Sequence, residues 1–131
     1  MNALLIAAYT FEQCYDHERN SFVPPYFKEI LEKTDDINNV PYRLIRTTVL
    51  GWLCTKYCKL QTETIMSAIK MLLDAGADID AGGDWLKVYS GPDDKKYYEV
   101  GEKLKANISM YIQQKTNFKN GQEHAYYDYE L

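Results

Sequence analysis

The chain alternates apolar-rich stretches at helical spacing with clusters of residues that break helices. Asn2 to Gln13 is rich in Ala and Leu without a breaker and reads as a helix. Cys14 to Pro25 is polar and ends in Pro24-Pro25, which cannot continue a helix, so a loop follows. A short second helix is predicted from Tyr26 to Lys33. There Tyr26, Phe27, Ile30 and Leu31 share a face, and Pro25 suits the first turn. Thr34 to Pro41 carries Asp-Asp, Asn-Asn and a proline and reads as an irregular connector.

The third helix is expected from about Tyr42 to Tyr57. Its Leu44, Ile45, Val49, Leu50, Trp52 and Leu53 cover so much of the circumference that neighbours must enclose it. Thr62 or Thr64 is placed to cap a fourth helix with a stripe of Ile65, Met66, Ile69, Leu72 and Leu73, ending at Gly76. Ala77 to Asp84 is a Gly/Asp turn, and Trp85 to Tyr89 reads as a short extended piece. Ser90 and Pro92 open a final helix over 92–116, with Asp93 and Asp94 in its first turn and Tyr97, Val100, Leu104, Ile108, Tyr111 and Ile112 on one face. A polar, tyrosine-bearing tail, 117–131, completes the chain.

These elements repeat. Residues 27–38, Phe-Lys-Glu-Ile-Leu-Glu-Lys-Thr-Asp-Asp-Ile-Asn, align without gaps on residues 69–80, Ile-Lys-Met-Leu-Leu-Asp-Ala-Gly-Ala-Asp-Ile-Asp, at a spacing of 42. Apolar, acidic and turn positions match in kind. The second copy, Leu72-Leu73-Asp74-Ala75-Gly76-Ala77-Asp78-Ile79-Asp80, resembles the end of an ankyrin repeat. Asn2-Ala3-Leu4-Leu5-Ile6-Ala7-Ala8 and, more weakly, Thr47-Thr48-Val49-Leu50 resemble the inner-helix opening of that family. The period exceeds the family's roughly 33 residues, Leu5 and Leu50 stand where it usually has histidine, and Thr34 replaces the capping glycine of the first turn. The resemblance implies an all-α, short ankyrin-like stack of helix pairs (repeat-like 1–38 and 42–80) closed by a C-terminal capping helix, in one domain over 1–116. A terminal cap of that kind is what a solenoid requires.

Composition narrows the function. The net charge of −4 resides in residues 1–40, with seven acids against three bases, while 41–131 hold twelve of each. Between Arg43 and Lys70 the local sign reverses, with Arg43, Arg46, Lys56, Lys59 and Lys70 against Glu63. An acidic chain with one basic stretch suits a protein partner better than nucleic acid, which needs several phosphates neutralised. No stretch reaches the roughly 18 apolar residues of a membrane span, and three cysteines without framework spacing fit reduced thiols, so a cytoplasmic setting is expected.

Candidate chemistry is sparse. His17 and His124 lie at opposite ends in polar segments, which leaves neither a partner for acid/base work. Cys14 precedes His17 by three residues, but spatial geometry, not proximity in sequence, makes a nucleophile and base. Cys54 and Cys58 share a helix face but lack the further ligands of a zinc site. The Asp78-Ile79-Asp80-Ala81-Gly82-Gly83-Asp84 run has the alternating acids of a calcium loop, yet the twelfth position is Tyr89. Asn107-Ile108-Ser109 matches a glycosylation sequon inside a helix. Neither an enzyme, a metal site nor a cofactor is therefore expected.

The ankyrin resemblance implies a protein-binding module that presents its turn tips, and the residues singled out for partner contact are Asn39, Tyr42, Arg43, Asp80, Asp84, Trp85 and Tyr89. Twelve tyrosines supply either interface or a half-buried core. An inhibitor or immunity-type protein masking its partner is the leading expectation, and a phage or viral antagonist of a host defence protein would share these features. The alternative from another class is RNA or DNA binding through the basic 43–70 stretch, with Tyr42, Trp52 and Tyr57 for stacking.

Overall fold

The computed structural model describes residues 4, 25–39 and 47–119, and these are helical with no strand among them. The first helix, α1, spans Pro25–Glu32. Pro25 is its first residue, where a missing N–H leaves no helical bond unmade. The second, α2, spans Val49–Leu60, later than the expected start near Tyr42. Thr48 sets that start: its backbone is extended and its hydroxyl oxygen accepts the Gly51 N–H at 3.2 Å, so the helix begins directly after it. Tyr42, Arg43, Leu44 and Ile45 lie outside the described residues, as does the first predicted helix except for Leu4, which is helical and buried.

Only Gln61 and Thr62 separate α2 from α3, Glu63–Asp74. Gln61 takes left-handed angles, φ 48° and ψ 40°, and its N–H closes on the Tyr57 carbonyl. Thr62 then caps α3 by accepting the Ile65 N–H at 3.3 Å. So short a link makes the two helices adjacent hairpin neighbours. Residues Trp85–Tyr89 form a 3-10 helix, not the extended piece expected, because the Asp84 carboxylate accepts the Leu86 N–H and the Asp84 carbonyl accepts that of Lys87. The last helix, α4, is Lys95–Lys119. Its expected start at Pro92 is displaced by a turn in which Asp94 N–H bonds the Gly91 carbonyl, and Asp94 in turn accepts from Tyr98.

The core lies around α2, which packs against α3, the 3-10 helix and α4. Val49, Leu50, Trp52, Leu53, Cys54 and Cys58 are all buried, so the wide apolar arc seen in the sequence is enclosed on several sides. Each fully buried leucine contributes roughly 1.5–3 kcal/mol. On α4 the buried line is Gly101, Leu104 and Ile108, with Tyr97 and Tyr111 packed beside it, while Ile112, expected on that face, is exposed. Gly101 is what lets α4 approach: a Cβ there would overlap the Leu86 side chain and press on Cys58 Sγ.

The 42-residue repeat is present in the bonding as well as in the letters. In the first copy Lys33 N–H bonds the Glu29 and Ile30 carbonyls and Thr34 N–H bonds that of Leu31. In the second, Ala75 bonds Met71 and Leu72, and Gly76 bonds Leu73, each at the equivalent position. Further on, Asp36 accepts the Asn38 N–H on its side chain and the Asn39 N–H on its carbonyl. Asp78 does the same for Asp80 and Ala81.

The copies differ at one place. Gly76, with φ +94°, lets Ala77 N–H turn back to the Leu72 carbonyl, completing a Schellman cap. Thr34 has no positive φ, and its hydroxyl donates to the Ile30 carbonyl at 2.7 Å, the counterpart of Leu72. A side chain thus does in one copy what a backbone amide does in the other. The two turns also touch, since Asp78 N–H donates to Asn38 Oδ1 at 2.7 Å.

Two substitutions test this account by chemical denaturation. Gly101→Ala should destabilise the protein by about 1–2 kcal/mol, overpacking outweighing the usual helical gain of alanine over glycine. A more stable variant would show that α4 does not sit this close. Thr34→Val should cost about 1 kcal/mol by removing the hydroxyl donor of the Ile30 carbonyl, which keeps the Lys33 N–H, with Thr34→Ser close to the parent.

Candidate binding groove

The Gly-rich link after the second turn runs back over the start of α2. Gly82, at φ +78°, has room for a hydrogen but hardly for a Cβ, which would sit 3.1 Å from the Thr48 backbone nitrogen. This close pass delivers Asp84 to a position where it caps the 3-10 helix and also pairs with Lys105 of α4 at 3.2 Å. The 3-10 helix is then laid along α2 and fastened there by Tyr89, whose hydroxyl donates to the Thr55 carbonyl at 2.6 Å.

Between these two elements lies a groove of about 750 Å³ bordered by Thr47, Trp52, Thr55, Lys56, Lys59, Gly82, Asp84, Trp85, Lys87, Val88 and Tyr89. Among these described residues, Trp52, Trp85 and Tyr89 are aromatic, and Lys56, Lys59 and Lys87 stand beside Asp84. Lys56 Nζ lies 5.4 Å from the Trp52 ring centroid, Lys59 Nζ 5.9 Å from Tyr89 and 5.6 Å from Tyr97, and Lys105 Nζ 5.7 Å from Trp85. Tyr89 and Tyr97 themselves pack with centroids 5.5 Å apart. Ammonium groups over ring faces are held by the ring quadrupole. Val88 adds an exposed apolar side chain at 61%.

Ionisation follows the burial. The Asp84 carboxyl is nudged upward by partial burial, but its bonds to Lys105 and the Leu86 N–H, with the charges of Lys105 and Lys87, outweigh that and hold it below the usual range. Tyr89 is pushed up to about 12, first by burial and then by the neighbouring Cys58, Asp94 and Tyr97. Burial also raises Cys58 to about 11 and lifts Cys54 well above an ordinary thiol, with Cys58 adding to the latter. These are neutral, packed thiols, not nucleophiles.

The seven residues singled out for partner contact separate into three groups. Asn39, Asp80 and Asp84 are exposed. Trp85 and Tyr89, each only 4% exposed, belong to the core and cannot serve as protruding anchors, because the 3-10 helix turns them inward against α2 and α4. Tyr42 and Arg43 lie outside the described residues, as do Cys14, His17 and His124. Of the proposed stacking aromatics, Trp52 is only 9% exposed and Tyr57 is half-buried. Sequence reading missed Lys87 and Val88, which no periodicity ties to α2. Among the described residues no cluster of three potential metal ligands occurs, including the Asp78–Asp84 run.

Comparison with family models, with curated proteins and with solved structures finds no match to this chain. No described helix is long and apolar enough to cross a membrane.

The tyrosines set an alkaline limit. Because the folded chain holds Tyr89 at about 12 against an ordinary value near 10, the unfolded chain releases that proton first. The contribution of Tyr89 should be intact below pH 10 and be lost between about pH 10 and 12, on top of an earlier decline from about pH 9 caused by the raised thiols of Cys54 and Cys58. Tyr89→Phe should flatten that decline in pH-dependent denaturation while costing about 1 kcal/mol at neutral pH for the lost bond to Thr55. An unchanged slope would place Tyr89 among the freely titrating groups.

Proposed function

We propose that this chain is a non-enzymatic protein-binding module of ankyrin-like construction, acting as an inhibitor or immunity-type protein that masks the functional surface of its partner. The observation that carries the reading is the bond from Asp78 N–H to Asn38 Oδ1 between two turns of the same internal bonding, 42 residues apart. Consecutive turns that repeat and bond to one another align their tips along one edge. Repeat proteins use such edges and the surfaces beside them as extended binding sites. Helix pairing fits as well, since α2 and α3 form a tight hairpin directly preceding the second turn.

The nucleic-acid reading is weaker on physical grounds. Single strands are held by stacking on open aromatic faces, whereas Trp52 is buried and has Lys56 over its ring.

The test is capture from lysate with the tagged full chain, followed by reconstitution of the complex and measurement of its stoichiometry. Asn39→Arg/Asp80→Arg is the comparison, because both side chains are exposed at the turn tips. A one-to-one partner whose affinity falls about tenfold or more in the folded variant supports the module and its edge. Recovery of nucleic acid alone would overturn it.

A further inference from the structure

Two polar atoms at the groove between α2 and the 3-10 helix have no hydrogen-bond partner. Trp85, only 4% exposed, carries an indole N–H that meets no acceptor among the described residues, and the hydroxyl of Thr47, only 6% exposed, is equally unmatched. Thr47 borders the groove from the head of α2 and Trp85 from the 3-10 helix. Lys105 sits over the Trp85 ring, but an ammonium has no lone pair to accept the indole hydrogen.

Buried polar groups are nearly always bonded, and an indole N–H, which can only donate, stays unsatisfied until an acceptor reaches it. A threonine hydroxyl can donate or accept. Neither atom is engaged in building the fold: Thr48, not Thr47, caps α2, and the Tyr89 hydroxyl fastens the 3-10 helix. Both atoms are covered, so the wall carrying Trp85 has to yield before anything bonds to them. That wall is a single 3-10 element of five residues. An occupant that makes both missing bonds shifts the population toward the opened arrangement.

The shape of the groove selects the occupant. Trp52, Thr55, Lys56 and Lys59 fall on one face of α2, so with Thr47 this side extends for roughly 18 Å at 1.5 Å per residue. That length matches about five residues of extended chain, whereas a compact ligand would fill one end. Extended main chain presents carbonyl acceptors and N–H donors in alternation, the two functions that Trp85 and Thr47 call for.

We infer that the groove receives an extended segment of the partner protein through its main chain, one carbonyl accepting from Trp85 Nε1 and another main-chain group bonding the Thr47 hydroxyl. This assignment rests on the protein-binding reading above. Gly82 and Asp84 carry the groove into the link after the second turn, so the turn edge continues it.

Main-chain recognition tolerates varied side chains, so the probe is a capped, uncharged peptide of alternating serine and valine, about five residues long. Acetamide and an oligothymidylate are the comparisons. Each is titrated into the isotope-labelled full chain while the indole N–H signals are followed by NMR. The chain has two tryptophans, and the signal missing in Trp85→Phe belongs to Trp85.

The peptide should bind saturably and move the Trp85 indole signal downfield. Thr47→Val removes the hydroxyl and nearly keeps the side-chain shape. Because no bond is lost, its thermal midpoint should equal or exceed the parent's, while its affinity for the peptide falls about fivefold. The inference is overturned by no saturable binding, by a Trp85 signal that stays put at saturation, or by acetamide or oligothymidylate binding as tightly as the peptide. Undiminished affinity in Thr47→Val, or a midpoint well below the parent's, overturns it as well.

The captured partner separates this inference from the reading beneath it. A partner that binds Thr47→Val as well as the parent and leaves the Trp85 signal in place removes the groove from the interface, and the protein-binding reading stands. No protein partner, with the peptide still seated against Trp85, overturns that reading alone.

Discussion

Enclosure of α2 is the constraint on which the other elements depend. A twelve-residue helix with seven buried residues cannot be satisfied by one neighbour, so α3, the 3-10 helix and α4 must all come close to it. Each does so by a different local device. The Gln61–Thr62 link is too short to let α3 stray. Tyr89 fastens the 3-10 helix to the Thr55 carbonyl. Gly101 removes the one side-chain carbon that would hold α4 away from Leu86 and Cys58. Interiors are close-packed, so an error in any of these would be felt at the others. α4 is tied a second time at its far end, where Tyr111 and Lys115 both reach the Asp74 carboxylate at the end of α3.

The two turns show how one bonding pattern is met by different residues at the same place. What is preserved is not glycine but a second donor for the carbonyl at the helix end, beside the amide three residues on. At Gly76 the backbone swings left-handed and Ala77 supplies the N–H; at Thr34 the backbone stays right of that region and the hydroxyl supplies the proton. The exchange has a further effect. Ala77, drawn inward by its bond, is buried, whereas its counterpart Asp35 remains exposed. Even so, the chain beyond both turns returns to the same course, because Asp36 and Asp78 make the same pair of bonds.

What the sequence disclosed was what local chemistry determines. A threonine cap at Thr62 or Thr64, of which the structure uses Thr62, and Gly76 as a left-handed stop are each set by residues a few positions apart. The all-helical class was legible for the same reason. The start of α2 was not, since the apolar run from Leu44 gives no sign that Thr48 interrupts it. Trp85 and Tyr89 were singled out for partner contact because a Gly/Asp turn usually projects outward, and they lie buried. Only the close pass of Gly82 over Thr48, a contact between residues 34 apart, turns the following segment inward. Lys87 and Val88 went unnoticed because a five-residue 3-10 helix carries no period to mark its outer face.

The make-up of the groove is likewise a product of tertiary structure. Along the chain Lys56 and Lys59 belong to one basic stretch, and Lys87 sits among aspartates, so no window of sequence contains the three together. Folding brings them to one opening and simultaneously engages Asp84, the acid among the groove's described residues, in capping the 3-10 helix and pairing with Lys105. The same carboxylate thereby fixes the wall of the groove. Aromatic rings beneath the lysines add a second effect, since they hold cations in place without cancelling their charge. A surface built in this way gains little stability from its own charges, because exposed cations over rings are worth only about 0.5–1 kcal/mol.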